Sequence, residues 1–174
     1  MQSVTATQPE ANEYAPYYGK YIVLVPEGDV VSTLGRQLED TLALLNGLSE
    51  DQGDSRYEPG KWSIKELVGH VIDGERIFGH RAFRFARGEE QPLPGFEQDD
   101  YVRAAEFGNR QLKDLIEEFE LVRRENLCLF RSLDESAWLR RGTASDALVS
   151  VRALAYIMAG HVTHHMNILR TRYL

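Results

Sequence analysis

The sequence has little cysteine, no long apolar run and no excess of basic over acidic residues, and each of these absences excludes a class of protein. Its one cysteine, Cys128, cannot form an internal disulfide. No stretch approaches the roughly eighteen uncharged apolar residues of a transmembrane helix, so we expect no membrane partner. The 20 Lys and Arg against 27 Asp and Glu give a net charge of −7, which disfavours polyanions, so we expect no nucleic-acid partner.

Several motifs of metalloenzymes are also missing. The chain has no Glu-x-x-His pair of the kind that builds di-iron bundles, no His-Glu-x-x-His protease motif and no cysteine pair. Carboxylate-bridged iron is therefore disfavoured. Cys128 lies among Leu127, Leu129 and Phe130, which favours a buried small apolar residue over a nucleophile.

What the sequence does contain suits one domain with a hydrophobic core. Hydrophobic residues make up 43% of its 174 residues, enough for a core without disulfide staples. Residues 1–13 are polar and unpatterned, lack an export signal and predict a disordered leader. We therefore expect a cytoplasmic protein with one domain over residues 14–174. The β-branched run from Tyr21 to Val25 predicts a short extended N-terminal arm.

Four segments carry the three- or four-residue apolar spacing of amphipathic helices, which predicts an all-α four-helix bundle. They cover about residues 29–48, 63–87, 109–132 and 150–171, with a shorter helix within 99–107. Asp29 and Ser63 are the predicted caps, and Glu66 completes a capping box with Ser63. The link between the second and third helices is about twenty residues long, so those helices are predicted to run in the same direction.

Histidines stand on the inward faces of two of these helices. His161 and His165 are four residues apart, about 40° around the helix axis, so both imidazoles can point into one small volume. His70 shares a face with Leu67 and Gly74, so it also points inward. Three imidazoles then converge, and Gly74 leaves room for a close helix approach or for a metal. The alternative is that these are core or surface histidines, hydrogen-bonded to backbone or carboxylate groups.

Three neutral imidazoles leave a divalent ion with both its charges and at least one open coordination position, which is typical of a catalytic site. Zn²⁺ or Ni²⁺ suits such nitrogen ligands. Asp73, one turn from His70, and His164, on the flank of the last helix, are candidates for orienting a ligand ring, bound water or substrate. Glu75 is a weaker candidate, and solvent exposure is the alternative for both acids. His80 falls off the face of His70, which predicts a solvated side chain.

Three segments, taken in order, resemble the signature regions of the DinB-like (DinB/YfiT) metal-binding four-helix bundles. They are GKWSIKELVGHVIDGE, LDESAWLRRG and AYIMAGHVTHHMNIL, and the likeness covers roughly residues 30–174. The resemblance implies an up-down-down-up bundle and a homodimer. It also implies a metal held by His70, His161 and His165, in agreement with the spacing argument.

The resemblance implies a range of functions. Known members of the family include thiol transferases that use bacillithiol, mycothiol or glutathione, and a thiol-dependent maleylpyruvate isomerase. A divalent cation stabilises thiolate over thiol, which makes a nucleophile at neutral pH. The leading hypothesis is therefore a metal-dependent S-transferase in which a low-molecular-weight thiol attacks a small electrophile. The alternatives are a hydrolase that uses metal-bound water and a non-catalytic metal-binding module of the stress response.

Overall fold

The computed structural model describes Thr5 and residues 7–174, and four long helices form the framework of that part of the chain. The helices are α1 (Gly19–Ile22), α2 (Val30–Asn46), α3 (Glu50–Gly53), α4 (Ile64–Ala86), α5 (Gln98–Ala105), α6 (Leu112–Arg131), α7 (Glu135–Leu139) and α8 (Val151–Ile168). Two strands, β1 (Arg141–Ala144) and β2 (Ala147–Ser150), pair antiparallel between α7 and α8. The predicted all-α four-helix bundle is confirmed.

The two predicted helix starts are confirmed by their caps. At the start of α2 the backbone N–H of Ser32 donates to Asp29 Oδ2 at 2.8 Å. At the start of α4 the Glu66 N–H donates to Ser63 Oγ at 3.2 Å, and the Ser63 N–H donates to Glu66 Oε2 at 2.6 Å. This reciprocal box satisfies two backbone donors and sets where the inward face of α4 begins.

The four long helices run up, down, down and up. α4 and α6 share a direction, because Glu75 bonds to Arg123 and Gly79, one turn later, lies against Asn126. The hydroxyl of Tyr173, just after α8, donates to the backbone carbonyl of Trp62, just before α4, so these two helices are antiparallel. Gly35 of α2 lies nearest the end of α6, and Glu39, one turn later, lies nearest Arg124 in its middle, so that pair is antiparallel as well. The predicted arrangement is confirmed.

α8 is buried on every side over its first two thirds, whereas the apolar spacing predicts a single inward seam. Every residue from Val151 to Val162 is buried. The cause is that α1, α2, α4, α7 and β2 all pack around this helix. Among the residues described, no helix, α8 included, combines the length and the apolar character needed to span a bilayer.

The predicted extended arm over Tyr21–Val25 is wrong, because the segment starts as helix. Pro16–Tyr18 forms a 3-10 turn that continues into α1. Tyrosines at positions 14, 17, 18 and 21 recur every three or four residues, a helical spacing that outweighs the β-branched run. Gly160 lets the α1 backbone lie directly on α8, since a Cβ there would come within 2.0 Å of the Tyr21 carbonyl oxygen.

The predicted leader, residues 1–13, is too long. Its residues 1–4 and 6 lie outside the described part of the chain. Ala11–Glu13 forms a 3-10 turn, and the Glu13 carboxylate is buried. Ser150 Oγ donates to it at 2.6 Å, and Arg152 pairs with it. A buried carboxylate held by such partners fixes the chain that carries it, so the ordered part begins before residue 14.

The sequence pattern did not predict the β1–β2 hairpin. Its register pairs Arg141 with Ser150. Ser145 and Asp146 connect the strands with φ values of 51° and 60°, the left-handed conformation of a type I′ turn. Asn-Gly or Asp-Gly usually marks such a turn. Positions 145 and 146 are Ser and Asp instead, so the hairpin carries no strong local signal.

Candidate metal centre

The three histidines that the sequence predicts to converge do so where α4 meets α8. His70 Nε2 lies 2.9 Å from His161 Nε2, and His165 Nε2 lies 3.1 Å from the same atom. One nitrogen of each ring falls within 4.8 Å of the others. We refer to these residues as the three-histidine cluster. The four-residue spacing on α8 supplies two rings, and the inward face of α4 supplies the third.

Burial keeps all three imidazoles neutral. The exposed fractions of His70, His161 and His165 are 3%, 5% and 8%. Burial, ahead of the charges of neighbouring histidines, lowers the pKa of His70 to about 4 and that of His165 to about 2. Burial and then the charges of His165 and His70 hold the pKa of His161 well below its ordinary value. At neutral pH each ring therefore offers a lone pair.

The donor set fits a divalent transition-metal ion. His161 Nε2 carries either one lone pair or one hydrogen, so it cannot form a good hydrogen bond to both neighbours at once. Nitrogens bound at the usual distance to a tetrahedral Zn²⁺ are about 3.3 Å apart, close to the separations in the cluster. His165 Nδ1 is buried without a hydrogen-bond partner among the described residues. Burying three rings whose facing Nε2 atoms cannot all be paired with one another costs free energy, and an ion bound between these atoms would offset that cost.

Aromatic rings enclose the three-histidine cluster. Tyr21 and Phe78 approach His161 edge-on, with ring centroids 5.4 Å and 5.6 Å from that of the imidazole. The Trp62 ring lies 4.8 Å from the ring of His70. These rings exclude water from the sides of the cluster, which is the physical origin of the burial that lowers the histidine pKa values.

Gly74 makes room for the His161 ring. A Cβ at this position would lie 2.8 Å from His161 Cε1 and 3.0 Å from its Nδ1. A glycine inside a helix is about 1 kcal/mol less favourable than alanine, so α4 loses stability in order that the ring can fit. The sequence predicts that Gly74 leaves room for a close contact, and the group that needs this room is the His161 ring.

We expect Gly74→Ala to weaken metal binding without unfolding the protein. The added methyl group displaces the His161 ring, so metal affinity should fall by about tenfold to 100-fold, as when the support of a ligand is disturbed. The gain in helix propensity offsets the strain, so the free energy of unfolding of the metal-free protein should stay within about 1 kcal/mol of the parent. Calorimetric metal titration and chemical denaturation measure the two quantities.

Gly35→Ala is the matched control. Gly35 lies inside α2, and a Cβ there would meet only Arg131 Nη2, at 4.0 Å. This variant should gain about 0.5–1 kcal/mol of stability and keep the parent's metal affinity. If Gly74→Ala also kept that affinity, the position of the His161 ring would not matter for the ion.

Asp73 and His164 lie beside the three-histidine cluster. His164 is half-buried, with its ring centroid 5.5 Å from that of Tyr21 and 5.0 Å from that of His165. Asp73 is also half-buried, and burial raises its pKa, with smaller influences from neighbouring charges. The structure shows no hydrogen bond from Asp73 to the cluster, all of whose residues it describes. A role for either residue in orienting a ligand stays a prediction.

The predicted solvent exposure is right for His80 but wrong for Cys128 and for one of the two alternatives for Glu75. Glu75 is not the exposed acid offered as one alternative, since it is 1% exposed and accepts hydrogen bonds from Arg123 at 2.9 Å and 2.6 Å. The prediction that Cys128 is buried is wrong, because its side chain falls on the outer side of α6, beside the buried Leu127. His80 is exposed, as predicted.

A cleft of about 330 Å³ borders His70 and His161. We refer to it as the imidazole cleft. The side chains that line it include Tyr17, Tyr21, Phe78, Glu97, Asp99 and Ser145. None of these was singled out from the sequence as part of a site. The helical spacing of the tyrosines could have placed α1, whereas the acids at the start of α5 carry no local signal because only folding brings them to α4.

The comparisons with known proteins agree with this fold. A family model described as the DinB superfamily matches residues 33–169. YfiT from Bacillus subtilis, described as a probable metal-dependent hydrolase with an unusual four-helix bundle topology, matches with a TM-score of 0.65 and 16% identity over 96% of this chain and 94% of that chain. The mycothiol-dependent maleylpyruvate isomerase matches with a TM-score of 0.67 and 14% identity, over 79% of this chain and 58% of that chain. No curated protein matches this sequence.

The family model carries more weight than the two solved structures. At 14% and 16% identity, those structures share a fold with this protein and nothing more is shown by the likeness. The family model instead spans most of the chain and includes every residue of the three-histidine cluster. The chain therefore belongs to the DinB superfamily.

Proposed function

We propose that this protein is a metal-dependent enzyme that uses a low-molecular-weight thiol, acting as an S-transferase on a small electrophile. The observation that carries the proposal is the meeting of three neutral imidazoles beside a cleft of about 330 Å³. Structural metal sites in proteins are closed by four protein ligands. A site with three nitrogen ligands beside a cleft keeps a coordination position for a reactant.

The side chains around the cleft have separate tasks in this proposal. His70, His161 and His165 hold the ion, Zn²⁺ or Ni²⁺. When bound, such an ion stabilises thiolate over thiol and supplies a nucleophile at neutral pH. The lowered pKa values of the three imidazoles keep them unprotonated and available as ligands. Tyr21 and Phe78 pack against His161 and keep water from the sides of the cluster.

The two similar structures point to different nucleophiles. The maleylpyruvate isomerase is described as mycothiol-dependent, which supports a thiol as the partner of this fold. YfiT is described as a probable metal-dependent hydrolase, so hydrolysis, with water in place of the thiol, is the second candidate for this chain. The need for added thiol distinguishes these two functions.

A transfer assay on the purified, zinc-loaded or nickel-loaded protein tests the proposal. With a panel of small thiols and chlorodinitrobenzene as the electrophile, we expect a rate above background that needs both thiol and metal and is lost on chelation. His80→Ala changes an exposed histidine outside the cluster and should keep the rate. Metal-dependent hydrolysis of an activated ester without thiol, together with no transfer, would favour the hydrolase instead.

A non-catalytic metal-binding module is the remaining alternative. In that case chelation should lower the melting temperature strongly, while no substrate turns over with any thiol. A catalytic site should instead tolerate metal loss with limited unfolding, because the buried apolar side chains of the bundle still form a core. The homodimer implied by the family resemblance belongs to the same proposal, and light scattering at several protein concentrations measures it.

A further inference from the structure

A second opening reaches the three-histidine cluster at His165. It has a volume of about 290 Å³, and we refer to it as the aromatic pocket. The side chains that line it include Tyr57, Trp62, Leu67, His165, Ile168 and Tyr173. The imidazole cleft is bordered instead by His70 and His161, so the two openings meet different members of the cluster. Two reactants can therefore approach the cluster separately.

A hydrogen bond and a ring contact hold the walls of the aromatic pocket in place. The Tyr173 hydroxyl donates to the Trp62 backbone carbonyl at 2.6 Å, and the Tyr57 ring meets that of Tyr173 edge-on, with centroids 4.9 Å apart. Burial, ahead of the nearby Tyr57 hydroxyl, raises the pKa of Tyr173 to about 12, so at neutral pH this hydroxyl keeps the proton that it donates. The walls are thus ordered before a ligand enters, which lowers the entropy lost on binding.

Trp62 connects the aromatic pocket to the cluster. The centroid of its ring lies 4.8 Å from that of His70, and the His70 ring lies 4.7 Å from the ring of His165. Trp62 is half-buried, so part of its ring is open to the pocket. A group held against Trp62 in this pocket therefore has a residue of the cluster, His165, as a neighbour.

The lining of the aromatic pocket favours a planar aromatic ligand. Aromatic rings form three of its walls, and Leu67 and Ile168 add apolar surface. Rings attract one another edge-on or offset-stacked, which a saturated ring of the same size cannot reproduce. The volume suits one ring with small substituents, because pockets for drug-sized ligands begin at about 300 Å³. One exposed side chain of each charge, Lys61 and Asp99, borders the opening, so neither sign of charge is favoured.

The imidazole cleft suits such a ligand less well. Beside its tyrosines it is lined by four exposed polar side chains, those of Glu97, Gln98, Asp99 and Ser145. An uncharged ring seated there would cover these groups and displace the water that solvates them. In the aromatic pocket the same ring covers mainly apolar surface, whose removal from water is favourable.

Resting on the proposed function for the reaction that follows, we propose that the aromatic pocket binds the electrophile, and that this electrophile carries a small, uncharged, planar aromatic ring. The imidazole cleft is then left to the thiol. The chemical class of the second substrate is therefore aromatic compounds with a single ring and small substituents.

Nitrobenzene and nitrocyclohexane are matched probes of this site, since they differ in the ring and hardly in size. Neither carries a leaving group, so binding is measured without turnover. The chain has two tryptophans, and their indole N–H signals report separately in NMR spectra. Titrating the zinc-loaded protein with nitrobenzene should shift the Trp62 signal saturably and leave that of Trp138, which is 3% exposed and stacks on Phe130. Nitrocyclohexane should bind at least about threefold more weakly.

Substitution of Tyr57 should act on the aromatic probe alone. Tyr57→Leu keeps an apolar side chain but removes one ring, so it should weaken nitrobenzene by about threefold to tenfold, the value of one aromatic pair, and leave nitrocyclohexane unchanged. Tyr57→Phe restores the ring and should restore the affinity. Phe83→Leu removes an exposed ring of α4 outside both linings and should change neither probe. In the transfer assay, Tyr57→Leu should raise KM for chlorodinitrobenzene and leave KM for the thiol unchanged.

The position and the selectivity of binding decide the outcome. Equal affinity for the two probes, or a Trp62 signal that does not move, would overturn the proposal. So would nitrobenzene binding that is weakened by Tyr17→Leu, in the lining of the imidazole cleft, and not by Tyr57→Leu. If Tyr57→Leu did not fold, the two titrations of the parent would decide alone. Selective binding beside Trp62 without transfer to any electrophile would keep the binding site and contradict the transferase, whereas transfer without such binding would contradict this inference only.

Discussion

Alanine in place of His161 is expected to abolish metal binding, because this residue is the centre of the three-histidine cluster. Its Nε2 is approached to 2.9 Å by that of His70 and to 3.1 Å by that of His165. Changing a residue that merely supports a metal ligand weakens binding by about 10- to 100-fold, so loss of the ligand itself should cost more than about 100-fold. Elemental analysis of protein purified without a metal-binding tag should find about one ion per parent chain and almost none in the variant.

His80→Ala is the control for the loss of a histidine as such. His80 also lies on α4, but it is exposed, so its removal should leave metal occupancy at the parent level. Circular dichroism should show that both variants keep the helical content of the parent, because the apolar side chains that form the core of the bundle are all retained. Unchanged occupancy in His161→Ala would contradict the metal centre, and with it the proposed function.

The helical framework could be predicted because the signals for it are local. Asp29 and Ser63 mark the starts of α2 and α4 by side-chain acceptors that lie three residues from their donors. Apolar spacing along each helix then defines a buried face. The direction of α6 relative to α4 follows from the length of the chain between them, which is again a property of the sequence alone.

The three-histidine cluster could be predicted for the same reason, whereas the imidazole cleft could not. His161 and His165 are brought together by the helix itself, and His70 needs only to lie on a buried face. The walls of the cleft come from α1 and α5, which reach the cluster through tertiary packing. The contact of Gly160 with the backbone of Tyr21 illustrates this, because nothing in either local pattern indicates the other.

Buried polar groups are the other feature that local patterns miss. Glu75 has the spacing of an exposed acid next to the inward face of α4, but Arg123 pairs with it from a helix much later in the chain. The apolar period of a helix predicts on which face a polar residue lies. It does not predict whether a residue of another helix covers that face and pairs with it. Cys128 shows the converse, since its apolar neighbours in sequence suggested a core position, but the 3.6-residue period of α6 places its side chain on the solvent side.

Arg123→Met is expected to destabilise the bundle by about 3–5 kcal/mol, as breaking a buried ion pair generally does. The Arg123 side chain is 0% exposed and donates to both carboxylate oxygens of Glu75, at 2.9 Å and 2.6 Å. It also donates to the Leu34 carbonyl at 3.0 Å and to Gln37 Oε1 at 2.9 Å. Methionine fills part of the space but leaves the Glu75 carboxylate buried, with the Asn126 amide 3.1 Å away.

Chemical denaturation of the metal-free protein measures this loss, which corresponds to a fall of roughly 10 °C in Tm for a chain of this size. Arg124→Met is the matched control at the next position of α6. Arg124 is exposed and pairs with Glu120 one turn earlier, at 2.7 Å, so its replacement should cost less than about 1 kcal/mol. A loss below about 1 kcal/mol in Arg123→Met as well would contradict the prediction.

A double variant, Arg123→Met with Glu75→Gln, separates the unpaired charge from the lost bonds. If the carboxylate left behind is the main cause of instability, neutralising it should restore part of the loss, so the double variant should be more stable than Arg123→Met alone. If the double variant instead loses the sum of what Arg123→Met and Glu75→Gln each lose alone, Arg123 acts through packing and through its hydrogen bonds to α2. Metal occupancy should stay at the parent level in both variants while they are folded, because neither residue belongs to the three-histidine cluster. Loss of stability with metal binding kept is the reverse of the pattern expected for His161→Ala, since the Arg123 network joins helices whereas the cluster holds the ion.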